Sequence, residues 1–283
     1  MIVWVASYPK SGNTFLRILL SNYLYGNLNE ENVFKDLEKI GQFPALYRYN
    51  ILINEKIVQN QSEFKNINLQ YKYSLYLQKK LFSKELFFLK THSCNYNINE
   101  NLFTNQEITS CAIYLVRDPR NILLSYSDFL NIPLEDTLNH MQQEKILYQK
   151  YENVSYPITH LGSLKTNIAS WLKSQILFPV KIIKYEDLIF NTYDIFYDIL
   201  IFLNKYTKID INHSKINSII KKTEFNTLKK LEERGFFLEI SNASNKNHFF
   251  NQGKERDWKR NLNVNYFNKV QNIFEKEIKM FNY

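Results

Sequence analysis

The chain has 283 residues, 45% of them apolar, with only 6 glycines and 6 prolines. That is enough apolar material for one large core and little for flexible linkers, so a single domain over 1–283 is expected. Thirty-six basic residues against 28 acidic ones give a net charge of +8, which suits an anionic partner, yet the basic residues are spread out and meet only in doublets such as Lys79-Lys80 and Lys221-Lys222. A small anion is therefore expected over nucleic acid.

The chain opens on a short apolar run, Ile2 to Ala6, which reads as a buried strand. It has no basic region ahead of a long apolar one, so a signal peptide is not expected. Ser7-Tyr-Pro-Lys-Ser-Gly-Asn-Thr-Phe-Leu-Arg17 follows, a tight turn at Gly12 leading straight into a helix whose apolar residues include Leu16, Ile18, Leu19 and Leu20. A strand, a turn and an immediate helix start point backbone N–H groups at one spot and make it an anion site. Lys10 adds a charge there, and Ser11, Asn13 and Thr14 add donors. The lysine precedes the glycine, so this is not a Walker A loop, which ends in Lys-Ser/Thr at the helix start.

Asn27 to Gln70 reads as irregular. Leu86 to Leu89 is a second strand, running into Lys90-Thr91-His92, and Cys111 to Val116 is a third, ending at Arg117-Asp-Pro119 before a helix from about Arg120 to Phe129. Ser125 lies eight residues after Arg117, and eight residues of turn and helix can bring it back towards the strand end. An arginine fork and a hydroxyl then suit one phosphate dianion. Asn131 to His160 reads as a second irregular stretch. Val180 to Lys184 is a fourth strand, followed by Glu186-Asp187 and helical sequence to about Asn204. Glu232 to Asn251 is the third irregular stretch, and residues after Lys259 form an amphipathic helix. The irregular stretches fit acceptor-site walls or plain surface connections equally well.

Strands alternating with helices give an α/β fold, a central parallel sheet with helices on both faces and ligands at the carboxyl ends of its strands. The two cysteines, Cys94 and Cys111, supply neither a disulfide framework nor a metal cluster and are expected as free thiols. No apolar run approaches the roughly 18 residues of a membrane-spanning helix. A cytoplasmic protein with no transmembrane segment is expected.

Several of these stretches carry a resemblance. SYPKSGNTF, at Ser7 to Phe15, resembles the 5′-phosphosulfate loop of the sulfotransferase family, TYPKSGTTW. The run from Cys111 to Tyr126 is similar, in register, to that family's 3′-phosphate signature, RNPKDVAVSYYHF. Lys90-Thr91-His92 resembles its KTHLP segment, Lys184-Tyr185-Glu186-Asp187 its YYEDL-like strand end, and Lys222-Thr223-Glu224-Phe225 its TSF segment. Phe250 to Lys259 is similar to the closing RKGxxGDWK loop, with Asn251-Gln252 in place of Arg-Lys.

The resemblance implies a P-loop NTPase-like fold binding PAPS (3′-phosphoadenosine 5′-phosphosulfate) and releasing adenosine 3′,5′-bisphosphate, with no metal. It implies that Lys10, Ser11, Gly12, Asn13 and Thr14 hold the 5′-phosphosulfate, and that Arg117 and Ser125 hold the 3′-phosphate. Phe15, Tyr185, Thr223 and Phe225 would meet the adenine, and Gly253 and Lys254 would close the loop, with Lys254 and Arg256 able to replace the missing cations. His92 is implied as the base that takes a proton from an acceptor hydroxyl or amine of a small molecule, lipid or saccharide. Lys10 would stabilise the leaving oxygen and Lys90 the sulfuryl oxygens. Gly162-Ser163 and Trp171 resemble the family's GSW…W helix and read as structural. Two other readings stay open at this point: a P-loop kinase or NTPase, and a non-catalytic nucleotide-binding protein of the same fold. Tyr47-Arg48-Tyr49 and Tyr71-Lys72-Tyr73 suit an acceptor platform or ordinary packing, and either a monomer or a homodimer is compatible with the sequence.

Overall fold

A computed structural model describes residues 1–27, 31–144, 146–147, 150–151, 154–155, 159–239, 249–250 and 258–283. The elements run β1 (Ile2–Ser7), α1 (Asn13–Leu24), α2 (Leu46–Asn54), α3 (Ile67–Phe82), β2 (Phe87–Thr91), the two-residue strands β3 (Asn97–Ile98) and β4 (Asn101–Leu102), then β5 (Thr109–Val116), α4 (Pro119–Leu130) and α5 (Leu134–Gln142). Short strands β6 (Ile146–Leu147), β7 (Lys150–Tyr151), β8 (Val154–Ser155) and β9 (Thr159–His160) precede α6 (Leu164–Lys173), β10 (Val180–Lys184), α7 (Tyr185–Phe190) and α8 (Thr192–Thr207). The chain closes with α9 (His213–Lys222), α10 (Phe225–Glu233), α11 (Trp258–Asn261), α12 (Val264–Ile273) and α13 (Glu275–Met280).

The fold is α/β, as the alternation of elements predicts. The central sheet has the order β10-β5-β1-β2, and β1 pairs β2 in parallel with Ile2 opposite Phe87 and Ala6 opposite Thr91. All six residues of β1 are buried, the burial on both faces that a central strand of a parallel sheet requires. Pairing with β1 carries the second strand two residues past the end of the apolar run and brings Lys90 into it.

The chain divides into two compact units. Unit one comprises residues 1–8, 41–114 and 143–182. Its core includes Trp4, whose ring centroid lies 5.3 Å from Phe103 and 6.1 Å from Phe43, and whose indole N–H donates to Thr109 Oγ1 at 3.1 Å. Tyr114 stacks on Trp171 in the same unit, centroids 6.0 Å apart. Unit two comprises residues 9–40, 115–142 and 183–283, and one of its clusters gathers Ile18, Val33, Phe34, Leu37, Leu228 and Leu231 with several phenylalanines.

Three further differences from the expected elements have local causes. The helix after β10 breaks at Asn191, whose backbone (φ −128°, ψ 57°) is non-helical, and restarts as α8. The stretch 27–70 holds α2, and 131–160 holds α5; both are nine-residue helices, too short for their periodicity to stand out. The C-terminal helix is two, because the chain leaves helical geometry at Phe274 between α12 and α13.

Candidate functional site

In unit two, the turn after β1 is wound by two left-handed residues, Lys10 at φ 66° and Gly12 at φ 91°. Left-handed turns of this kind face successive N–H groups to one side and make an anion-binding concavity. Gly12 is also the N-cap of α1, so the cap residue itself has no side chain to bond the first N–H groups. The first turn of α1 sets the positive end of the helix dipole at this concavity, an arrangement that favours an anion. A side chain at Gly12 is doubly excluded: φ is positive, and a Cβ would overlap the ring of Tyr185.

Arg117, at the start of the turn after β5, joins this turn from the other side. Its Nη1 donates to the Lys10 carbonyl at 2.7 Å, and its guanidinium carbon lies 4.6 Å from the Tyr185 ring centroid. Arg117 Nε and Ser11 Oγ are buried and have no hydrogen-bond partner among the described residues. Buried donors left without an acceptor cost free energy unless a ligand satisfies them. The site fits an oxyanion.

Asp118 and Pro119 start α4: the Asp118 side chain accepts from the Arg120 N–H at 2.9 Å, and proline sits in the first turn, where its missing N–H is harmless. Asp118 also pairs with the Arg120 guanidinium, so that arginine is already committed. Ser125 is half-buried on the second turn of α4. Glu186 receives the Asp118 N–H at 3.1 Å; burial pushes its carboxyl above the ordinary value, while the positive charge of Arg117 works the other way.

The Lys10 ammonium lies 4.4 Å from the ring centroid of Phe129 and 4.6 Å from that of Phe249, a double cation–π contact. Neither phenylalanine stands out in the sequence. Phe15 and Phe225 are partly buried against the aromatic cluster of unit two. Thr223 is buried, and its hydroxyl donates to the Ile219 carbonyl at 2.9 Å, which leaves the oxygen as an acceptor. Asn13 and Thr14 are buried in the first turn of α1. Gly253, Lys254, Asn251, Gln252 and Arg256 lie outside the described residues.

In unit one, His92 follows β2. Its Nδ1 lies 2.7 Å from the Ser7 carbonyl oxygen and 3.3 Å from Ser7 Oγ. A carbonyl can only accept, so Nδ1 carries the hydrogen, and in the neutral ring Nε2 is the basic nitrogen. Lys90 is half-buried within β2, and its backbone bridges to the 41–43 segment: its N–H donates to the Gly41 carbonyl and its C=O accepts from the Phe43 N–H, each at 2.9 Å. Residues Ser93 to Asn95 are strapped to α6 and its approach. Trp171 Nε1 donates to Ser93 O at 3.0 Å, Cys94 N–H donates to His160 O at 2.8 Å, and Asn95 N–H donates to Ser170 Oγ at 3.1 Å. Both cysteines are free and buried, with burial pushing each thiol up to about 12.

Among the described residues no group of three or more His, Cys, Asp or Glu is placed to hold a metal ion, and no helix is long and apolar enough to cross a membrane.

The sulfotransferase domain family matches residues 2–282. The amine sulfotransferase of Oryctolagus cuniculus is 24% identical over 289 aligned residues, covering 99% of this chain and 81% of the rabbit protein. Retinol dehydratase in complex with androsterone and the inactive cofactor PAP superposes with a TM-score of 0.58 at 17% identity, over 98% of this chain and 80% of the other. A mouse sulfotransferase, SULT7A1, complexed with PAP gives a TM-score of 0.55 at 18% identity, over 98% and 83%.

Proposed function

The chain belongs to the sulfotransferase family, and from that membership we propose that it transfers the sulfuryl group of PAPS to a hydroxyl or amine of a small-molecule, lipid or saccharide acceptor. The observation that carries the donor assignment is a pair of buried donors with no hydrogen-bond partner among the described residues, Ser11 Oγ and Arg117 Nε, beside a helix start whose N-cap is a glycine. An arginine and a helix tip around one turn suit a ligand with more than one phosphate. The co-crystallised PAP of two structural neighbours supports the same ligand here. We read residues 1–283 as one sulfotransferase domain, since the family spans both units.

In this reading His92 takes the acceptor's proton on Nε2 while Nδ1–H stays on the Ser7 carbonyl. The acceptor oxygen or nitrogen bonds to sulfur as the bond from sulfur to the bridging oxygen of the 5′-phosphate breaks, so adenosine 3′,5′-bisphosphate leaves and the proton ends on His92. The Lys10 ammonium neutralises charge appearing on the bridging oxygen, and Lys90 serves the sulfuryl oxygens. Reaching a phosphate requires Lys10 to exchange its two phenyl faces for the anion, a swap that strongly favours the anion. Arg117 and Ser125 hold the 3′-phosphate, and Tyr185, Phe15, Thr223 and Phe225 the adenosine. The cytoplasm is the proposed compartment, supported by two buried cysteines held as thiols.

Turnover of sulfur-labelled PAPS against a panel of alcohols, phenols, sugars and amines tests this function. Label appearing on at least one acceptor class supports it; release of label only to water across the panel rejects it.

A further inference from the structure

We propose that Asn167 is a positioning residue for the base, a buried amide that holds the His92 backbone so that its ring stays on Ser7. The inference rests on the reading of His92 as base. Asn167 is fully buried on α6. Its Nδ2 donates to two carbonyls, that of His92 at 2.9 Å and that of Leu161 at 2.8 Å. Its Oδ1 accepts from the Tyr114 hydroxyl on β5 at 2.7 Å. Both amide hydrogens and the oxygen are thus engaged, and the amide can face only one way, because a flip would set Oδ1 against two carbonyl oxygens.

From one buried position Asn167 reaches the His92 and Leu161 carbonyls and the Cys94 thiol. Of the hydrogen bonds between α6 and the 92–95 segment, those of Trp171 and Ser170 act on Ser93 and Asn95, while Asn167 grips His92 itself. His92 is therefore held at two points, its backbone carbonyl by Asn167 and its ring Nδ1 by Ser7. Losing the first lets the residue drift from Ser7. The bias toward the Nδ1–H form then weakens, and the Nε2–H form that a free imidazole prefers gains population. That form has no lone pair on Nε2 to receive a proton.

Asn167→Leu, close in shape but without the amide, tests the strap alongside Tyr114→Phe, His92→Ala and the double variant His92→Ala/Asn167→Leu. Nitrogen NMR of the His92 ring reads the tautomer without any turnover. The proposal expects Asn167→Leu to lower kcat by about 10- to 100-fold, the scale of a small misplacement of a reacting group, with adenosine 3′,5′-bisphosphate affinity unchanged. It expects the Nε2–H form to rise, a smaller loss of the same kind in Tyr114→Phe, and no added loss from Asn167→Leu where His92 is already alanine. If Asn167→Leu does not fold, Tyr114→Phe and its ring spectrum decide alone. A folded variant with wild-type kcat and an unchanged ring spectrum, beside an inactive His92→Ala, overturns the strap and leaves the base standing. Full turnover by His92→Ala overturns the base assignment, and the strap with it.

Discussion

The carbonyl oxygen of Ser7, the last residue of β1, accepts a hydrogen bond from His92 Nδ1 at 2.7 Å, just past the end of the neighbouring strand β2. Because β1 and β2 run parallel in register from Ile2 opposite Phe87, their carboxyl ends fall together, and the strand that leads into the turn at Lys10 and Gly12 also fixes the tautomer of the histidine. Sheet register and proton position are one fact here.

Replacing His92 by alanine is expected to lower turnover by about 10²- to 10⁴-fold, the usual scale of general base catalysis, with the affinity for adenosine 3′,5′-bisphosphate retained. Ser7→Ala should change turnover little, since the orienting group is the backbone carbonyl. Steady-state rates and calorimetry on both variants check the pair of expectations.

Gly12→Ala should fail twice over. The left-handed backbone costs a side chain about 1–2 kcal/mol, and the new Cβ would overlap the Tyr185 ring, pushing away the ring that Arg117 stacks on. Lower melting temperature and weaker donor binding are expected. Adding Tyr185→Ala should recover part of the stability, since it removes the overlap and leaves the backbone cost in place.

Much of this site is legible in sequence because its signals are local. A strand, Lys10, Gly12 and a helix start lie within a short stretch of chain, and Arg117 closes the apolar run of β5. The missing pieces depend on partners distant in the chain. Phe129 and Phe249 look like ordinary apolar residues until the fold sets both on Lys10. Asn167 shares the apolar stripe Leu164, Ile168 and Trp171 of α6, and an asparagine on a buried face is a signal that sequence could have yielded, although its partners could not be named. The break at Asn191 carries no proline or glycine to announce it.

Stability should fall on the acid side through His160. Burial lowers its pKa below 6.5 in the folded chain, with Glu144 working weakly the other way, whereas the unfolded chain titrates near the ordinary 6.5. As pH falls below about 6.5, the unfolded state takes up protons before the folded state does, so the folded state loses stability. His160→Phe keeps a ring beside Tyr71 and Tyr96, the two aromatic neighbours of His160, and should show a smaller drop in melting temperature between about pH 7.5 and about pH 5, one unit or more either side of that pKa. An unchanged drop excludes His160 as the titrating group.

Arg117→Lys keeps the charge and discards the planar fork, its stacking on Tyr185 and the buried Nε. Loss of charge-assisted hydrogen bonds to a phosphate predicts about 10- to 100-fold weaker binding of adenosine 3′,5′-bisphosphate, with AMP binding affected far less. Competition binding with the two nucleotides measures the difference directly.

The most direct test of the central claim is calorimetric titration of the wild-type protein with adenosine 3′,5′-bisphosphate and with AMP under the same conditions. A pocket in which Lys10 and the tip of α1 take one phosphate while Arg117 and Ser125 take another predicts a clear preference for the bisphosphate. Equal affinity for the two nucleotides would contradict it.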